Sequence, residues 1–325
     1  MMVNIVNNNN HFYKIFYLYL IIMIILLIII IVILIIILFY LNTTEETFNI
    51  TLNNSLDLDN IKRITKEVSI NRPVGSTNLL NVKKFVINEL NKLGLDVEEQ
   101  KFTKNIKGKN YDFSNIIAKN KNIDDNYIIL GCHIDGPQID IMEAATDAAS
   151  CVGLIIEITR KLLINNYPIM IVFFDGEEAI DGTWDSDNTL SGSTYFVNNF
   201  NKNIKFLMIF DLIGGDIDKN KIYHYNNTNG SNKNYMKQLS EINNSLNYKY
   251  PKQIFVNPDD KISDTGVIND YTPFINKYPN LAGLNLIPST FPDNHHTIND
   301  NYNNLNWEYI EIFSNVVYEF LILFK

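Results

Sequence analysis

Five acidic residues and one histidine, set far apart in the chain, have the residue types of an active site. Four of the five segments that carry them directly follow an apolar, strand-like run or open a helix. In open α/β sheets, ligands collect just beyond the carboxyl ends of strands, where separate loops converge. Oxygen ligands with one imidazole, and a spare carboxylate beside a ligand, suit a catalytic zinc ion with an open coordination position. The six residues are Asp147, Glu177, Glu178, Asp211, Asp270 and His296.

Each of these residues also has an ordinary interpretation when it is taken alone. Glu177 and Glu178 could be solvated surface acids, although the apolar run 171–174 that precedes them argues against this. Successive side chains after a strand point in different directions, so one glutamate can bind metal while the other faces substrate. Asp147 could equally be a helix N-cap. Asp211 ends an apolar strand, where a buried carboxylate needs a partner or a shared proton.

Strand-like and helix-like patterns alternate along the chain from residue 58 onwards, which indicates an α/β fold. We expect a single domain with a central mixed, largely parallel β-sheet flanked by helices. The predicted strands are 96–103, 111–118, 127–133, 168–174, 205–211 and 282–287. The predicted helices are 78–93, 147–164, 192–200, 232–246 and 306–323.

An apolar segment without charge or proline, residues 15–41, precedes this body and exceeds the roughly 20 residues that span a bilayer. A cleaved signal peptide is the alternative, but its apolar core would be roughly 7–15 residues long and a small-residue cleavage site would follow. We therefore expect a retained transmembrane anchor. Lys14 before it and Glu45 and Glu46 after it favour a cytoplasmic N-terminus and a lumenal body, hence a type II protein of the secretory pathway, in the Golgi or endoplasmic reticulum.

The remaining segments have simple expected roles. Residues 1–14 form an Asn-rich cytoplasmic stub, residues 42–57 a polar stalk, and residues 58–325 the lumenal catalytic domain. A formal charge of −9 argues against nucleic-acid binding, which needs a basic surface. In the lumen, glycosylation is permitted at sequons beginning at Asn42, Asn49, Asn53, Asn226, Asn229 and Asn243.

The order and spacing of the motifs resemble glutaminyl-peptide cyclotransferases of the animal type, in their membrane-anchored form. The resemblance covers nearly all of residues 59–325, and the wider clan consists of zinc aminopeptidases with the same α/β fold. The segments that carry it are 132–135 (Cys-His-Ile-Asp), 145–147 (Ala-Thr-Asp), 173–179 (Phe-Phe-Asp-Gly-Glu-Glu-Ala), Trp184, 190–193 (Leu-Ser-Gly-Ser), 211–214 (Asp-Leu-Ile-Gly) and 286–297 (from Leu-Ile-Pro to His-Thr).

The resemblance implies roles for individual residues. One zinc ion per chain would be held by Asp147, Glu178 and His296. Glu177 would be the general base and acid, with Asp211 and Asp270 as acidic partners that share a proton. The substrate pocket would be lined by Trp184, Phe291, Asn269 and His295. The family usually has tryptophan where this protein has His295, which makes this imidazole a rival ligand beside His296.

The implied reaction is zinc-dependent cyclisation of an N-terminal glutamine, and possibly glutamate, of peptides and proteins to pyroglutamate, with ammonia released. The domain would act as a monomer. A zinc aminopeptidase with two metals is the alternative, because His133 and Asp211 occupy positions that complete a second metal site in the clan. A membrane-tethered binding protein with a degenerate site is a further alternative, but no proposed ligand or base is missing.

The two cysteines flank the segment that carries Asp147. Cys132 ends a predicted strand and Cys151 lies in the first turn of the next helix. A pair of buried free thiols is the ordinary interpretation, since free cysteine behaves as a small hydrophobe. An oxidising lumen would allow a disulfide instead, and the family resemblance implies one. We therefore expect Cys132 and Cys151 to be bridged.

Overall fold

The computed structural model describes residues 3–42, 56–185, 187–224, 230–259 and 267–323. The protein divides into two compact units, residues 1–49 and residues 50–325. Most of the predicted stalk and the sequons at Asn49, Asn53, Asn226 and Asn229 lie outside the described residues.

The N-terminal unit contains one long helix, α1 (Val3–Asn42). Within it, the 20 residues Phe16–Ile35 have a mean hydropathy of 3.8 and are long and apolar enough to cross a membrane. The helix begins at Val3, so it includes most of the Asn-rich segment 1–14 that precedes the apolar residues. A helix nucleated in the apolar segment extends into its flank at little cost, because propagation fixes one residue per hydrogen bond.

The second unit is built on a mixed seven-stranded sheet with the strand order β1-β2-β4-β3-β5-β7-β6. The four strands β4, β3, β5 and β7 pair in parallel, and antiparallel strands complete both edges. The strands are β1 (Asp96–Ile106), β2 (Lys109–Lys119), β3 (Tyr127–His133), β4 (Ile169–Phe174), β5 (Ile204–Phe210), β6 (Ile222–His224) and β7 (Gly283–Pro288).

Helices cover both faces of this sheet. Alternate residues of β3 show why: Ile128 and Leu130 belong to one large core, whereas Tyr127 and Ile129 belong to a second, smaller core. The smaller core includes α5 and α7, and the larger one includes the remaining helices of this unit. These helices are α2 (Leu58–Val68), α3 (Thr77–Lys92), α4 (Ser150–Leu162), α5 (Ser191–Asn199), α6 (Gly230–Ser245), α7 (Thr272–Lys277) and α8 (Trp307–Leu323).

The predicted fold class is confirmed, and each predicted strand and helix of the body is present with small differences at its ends. Three of these strands and α-helices were not predicted. The helix α2 carries Ile61, Ile64 and Val68 on one buried face, so its periodicity was readable. The strand β6 has three residues and α7 has six, too few for a periodic pattern.

Candidate metal centre and active site

The predicted site residues converge at the carboxyl ends of the parallel strands, as the fold class requires. His133 is the last residue of β3, Glu177 and Glu178 follow β4, and Asp211 follows β5 directly. His296 arrives on the loop after β7. Most of these side chains are buried. Charged groups are rarely buried in a protein unless they have partners.

The two glutamates are held by a tight turn after β4. Gly176 makes this turn possible with φ +71°, a left-handed conformation that glycine adopts without a steric penalty. The buried carboxylate of Asp135 accepts the N–H of Glu177 at its Oδ1 and the N–H of Glu178 at its Oδ2, both at 3.2 Å. Asp135 was not predicted as a site residue, and its His-Ile-Asp spacing after β3 was the available signal.

Asp147 lies in an irregular turn before α4 and is not the cap of that helix. The α4 N-cap position is Ala149, and the helix has no side-chain cap there. Oδ1 of the buried Asp300 accepts both the N–H and the hydroxyl of Thr146 at 2.7 Å. The buried guanidinium of Arg72 donates to the carbonyl oxygens on either side, at Ile134, Glu143, Ala144 and Asp147. These contacts join residues distant in sequence, so sequence patterns did not reveal Asp300 or Arg72.

Three of the predicted site residues, Asp147, Glu178 and His296, meet around one imidazole nitrogen. His296 Nε2 lies 3.2 Å from Glu178 Oε1 and 3.3 Å from Asp147 Oδ2. Burial opposes a charge on His296, but the nearby carboxylate of Asp147 and the hydrogen bond with Glu178 raise its pKa to about 10. The two carboxylates therefore create a strong preference for positive charge at this point.

Two of the donor separations in this cluster fit a zinc ion. Ligand nitrogen and oxygen atoms lie about 2.0–2.2 Å from zinc, so tetrahedral geometry places neighbouring donors roughly 3.3 Å apart. The separations from His296 Nε2 match this spacing. The buried Oδ2 of Asp147 accepts no hydrogen bond from the described residues, which leaves a carboxylate lone pair available. His295 Nε2 lies 3.7 Å from the same oxygen, and the ligand atoms of Asp147, His295 and His296 all lie within 4.8 Å of one another. The rival imidazole therefore belongs to the same metal-binding group as His296, whereas Glu178 joins this group through its contact with His296.

A second group of donors adjoins the first on the other side of Asp147. His133 Nε2 lies 3.0 Å from Asp147 Oδ1 and 3.7 Å from Asp211 Oδ1. Burial opposes a charge on His133, but the hydrogen bond with Asp147 and the nearby carboxylate of Asp211 raise its pKa well above its ordinary value. The ligand atoms of these three residues are close enough to hold a metal ion together, with Asp147 between the two groups.

Glu177 has the environment of a general base. Burial raises its pKa well above that of an ordinary glutamate, and the nearby carboxylates of Glu178, Asp270 and Asp211 raise it further against the effect of His133. Burial likewise raises the pKa of Asp270 to about 7. Asn269, next to Asp270, donates from Nδ2 to Asp211 Oδ2 at 3.1 Å.

A cavity of about 430 Å³ opens above these residues. Its floor includes Glu177 and Asp211, and its outer wall is aromatic and partly exposed, with Trp184 at 43 % and Phe291 at 39 %. His295 belongs to this wall, because its ring packs edge-on against Phe291 and stacks on His296 at 3.9 Å between centroids. Asn269 also lines the cavity, whereas Asp270 does not.

The predicted disulfide is wrong. Both cysteines are free thiols, fully buried in the larger core. Burial raises the pKa of Cys151 to about 12 and that of Cys132 well above its ordinary value. The pair therefore packs as two small apolar side chains, the ordinary interpretation of buried cysteine, and gives no support to an oxidising compartment.

Comparison with known proteins agrees with this geometry. Residues 115–321 match peptidase family M28. The protein is 27% identical over 277 residues to a glutaminyl-peptide cyclotransferase of Drosophila melanogaster, covering 76% of this chain and 75% of that protein. Among solved structures, a glutaminyl cyclase of Macrostomum lignano is similar with a TM-score of 0.73 and 20% identity, covering 82% of this chain and 88% of that one. A leucine aminopeptidase precursor from Bacteroides thetaiotaomicron is similar with a TM-score of 0.66 and 20% identity, covering 82% and 97%.

Proposed function

Since the chain belongs to peptidase family M28, we propose that its site is a zinc-dependent glutaminyl-peptide cyclotransferase, which converts N-terminal glutamine to pyroglutamate. The observation that carries the proposal is the buried Glu177, placed beside the cluster of Asp147, Glu178 and His296 in one cavity. The curated cyclotransferase relatives support this choice within the family.

The proposed reaction needs little beyond orientation, because the nucleophile is part of the substrate. The free α-amine attacks the γ-carbonyl carbon of the glutamine side chain and a new C–N bond forms. The bond between this carbon and the amide nitrogen then breaks to release ammonia. Holding an intramolecular nucleophile in line supplies much of the rate enhancement. The wall of Trp184, Phe291 and His295 provides the apolar surface that would fold the glutamine side chain back towards its own amine.

Glu177 carries the proton in this scheme. Its carboxylate takes a proton from the attacking amine and returns it to the departing nitrogen, so the reaction is balanced without an external acid or base. Asp135 fixes the backbone of Glu177, and burial, helped by the nearby carboxylates of Glu178, Asp270 and Asp211, keeps its pKa raised. Asp270 would act through Glu177, whereas Asn269 reaches the cavity itself.

One zinc ion per chain would be held by Asp147, Glu178 and His296, which leaves a position open for substrate. When bound, zinc supplies Lewis-acid polarisation of the γ-carbonyl group. Asp147 and Glu178 are both buried, and each places a carboxylate oxygen within 3.3 Å of His296 Nε2. A divalent cation would stabilise buried carboxylates of this kind.

The test of this function is to incubate the purified body, residues 56–325, with zinc and peptides that begin with glutamine or leucine. We expect pyroglutamyl peptide and one equivalent of ammonia from the glutamine peptide, and no cleavage of the leucine peptide. Release of free leucine, with the glutamine peptide left uncyclised, would replace this function with that of an aminopeptidase.

An aminopeptidase is the second candidate because of one specific observation. His133, Asp147 and Asp211 form a second metal-binding group that shares Asp147 with the first. Two zinc ions, one held by each group, would suit the activation of water for peptide hydrolysis. Metal analysis distinguishes the two functions, since the cyclase requires one equivalent of zinc for full activity and the dinuclear peptidase requires two.

The apolar helix Phe16–Ile35 supports a further part of the proposal, a type II membrane protein of the secretory pathway with its body in the lumen. Protease treatment of intact microsomes should leave the body protected. The sequon at Asn243 does not help this test, because its buried side chain donates to Lys252 O and accepts the N–H of Ile254. Glycan analysis should therefore find Asn243 unmodified, and digestion of the body in intact microsomes would overturn the topology.

A further inference from the structure

A groove of about 610 Å³ continues from the active-site cavity along the surface of the body. The cavity and the groove share Trp184 and Ile268 as lining residues. We propose that this groove binds residues two to four of the peptide substrate and favours an acidic side chain at the fourth. The inference rests on the proposed function, since it concerns the substrate residues that come after the cyclising one.

The direction of the groove is set by the two short helices that form its sides, α5 and α7. Both begin at the active site: the N–H of Ser191 donates to Gly176 O, beside Glu177, and Thr272 donates its N–H to Asn269 O. Both end at the distal side, where the ammonium group of Lys277 donates to Val197 O. A peptide that leaves the cavity past Trp184 therefore follows the helices outwards.

The length of the groove sets the number of residues that it holds. From Thr272 to Lys277, α7 rises about 1.5 Å per residue, so this side of the groove is roughly 8 Å long. The shared wall at Trp184 and Ile268 adds the width of one side chain. An extended peptide advances about 3.3 Å per residue, so about three residues fit between the cavity and Lys277.

The lining chemistry suits a peptide backbone. Thr194 and Asn198 on α5 and Asn276 on α7 are exposed and offer hydroxyl and amide groups, which can donate to and accept from an extended peptide. Apolar contacts come from Pro273 and Val197. Uncharged donors and acceptors of this kind tolerate many side chains. The affinity of the groove for a peptide should therefore depend on the length of the peptide more than on its sequence.

The distal end of the groove carries a positive charge, that of Lys277. None of the described carboxylates lies within 4 Å of the Lys277 ammonium nitrogen, which instead donates to Val197 O and lies 5.2 Å from the Tyr278 ring centroid. At the proximal end, the Asp185 carboxylate is 3.4 Å from Lys107 and is therefore already paired. The unpaired positive charge lies where the fourth residue would be.

The first experiment compares kcat/KM for amidated peptides of increasing length on the body with zinc. We expect Gln-Ala-Ala-Ala amide to exceed Gln-Ala amide by about 5-fold, the effect of roughly one added hydrogen bond, with no gain beyond four residues. Replacing the fourth residue by glutamate should add about 3-fold over lysine, and this preference should fade in 1 M salt.

Two variants locate the effect. Lys277→Gln should abolish the preference at the fourth position and leave the dipeptide rate unchanged, whereas Lys84→Gln, an exposed lysine on α3, should change neither. Thr194→Trp should fill the groove and reduce the tetrapeptide to the dipeptide rate. Its matched control is Asn199→Trp, on the same helix but outside the groove lining.

Equal rates for all lengths, or a length effect that survives Thr194→Trp, would overturn the groove while leaving cyclase activity intact. Fluorescence anisotropy with pyroglutamyl peptides of the same lengths separates the two proposals, because it does not need turnover. If no glutamine peptide is cyclised, the proposed function fails, and the groove is then accepted or rejected on whether Thr194→Trp removes the length dependence of binding.

Discussion

The inner and outer halves of the cavity are built in opposite ways. The inner half consists of buried charges whose positions are fixed by other buried groups, as Asp135 fixes Glu177 and Asp300 fixes the turn before Asp147. The outer half consists of partly exposed rings on loops, principally Trp184 and Phe291. The difference indicates that chemistry depends on a rigid inner network, whereas substrate selection depends on contacts that can change at little cost to stability.

The largest effect should result from removing the inner base. Glu177→Gln keeps the shape and the hydrogen-bonding capacity of the side chain but cannot shuttle a proton. We expect kcat to fall about 10²–10⁴-fold, with KM and zinc content unchanged. Steady-state kinetics with metal analysis of the same preparation checks this, and a variant that retains most of its kcat would show that another group carries the proton.

The boundary between the two halves of the cavity lies between two adjacent histidines, His295 in the outer half and His296 in the inner half. His296→Ala removes a proposed metal ligand and should weaken zinc binding by about 100-fold or more, since even outer partners of ligands contribute 10–100-fold. His295→Ala should retain zinc and mainly raise KM. Competition with a chelator of known affinity measures both, and equal loss of zinc from the two variants would contradict the assignment of His296.

The pH dependence tests the inner half alone. Because burial raises the pKa of Glu177, its basic form exists only above this raised pKa and is lost as pH falls through it. The acid limb of kcat/KM should therefore lie well above about pH 4.3, the ordinary value for glutamate, with tenfold loss per unit below the midpoint. Circular dichroism over the same range separates titration from unfolding, and a midpoint at the ordinary value would refute the buried-base interpretation.

The outer half should respond to substitution in binding alone. Trp184→Ala removes a partly exposed ring from the cavity wall, so we expect KM to rise about 10-fold, kcat to change little and the melting temperature to remain within a few degrees. Thermal unfolding and steady-state kinetics measure the two properties separately. A loss of kcat comparable to that of Glu177→Gln would remove the distinction between the halves.

The smallest effect on stability should come from adding a reductant. Cys132 and Cys151 are free and buried, so dithiothreitol should leave the melting temperature unchanged, and alkylation should require unfolding. Mass spectrometry after alkylation under native and denaturing conditions provides the measurement. A fall in the melting temperature on adding reductant would indicate that Cys132 and Cys151 form a disulfide after all. It would also support an oxidising, lumenal compartment for the body.

A feature of this protein could be predicted from sequence when it depends on residues close together in the chain, and could not when it depends on contacts between distant residues. The strands near 168–174 and 205–211 were predictable because burial on both faces requires an uninterrupted apolar run. Arg72 was not, because its role lies in hydrogen bonds to backbone carbonyl groups, which the pattern of side chains does not encode. The disulfide failed for a related reason: proximity in the fold was foreseeable, but bonding was inferred from an expected compartment.

The order of the strands has a consequence for how the protein is made. β5 pairs with β3, which precedes it, and with β7, which comes about 75 residues later. Until Gly283–Pro288 leaves the ribosome, the nascent polypeptide presents the apolar residues Phe206–Phe210 along an unpaired strand edge. Such an edge is a template for association with other polypeptides. The C-terminal segment that delivers His296 therefore also protects the protein during its own synthesis, and shortening it would expose the growing sheet before any question of activity arises.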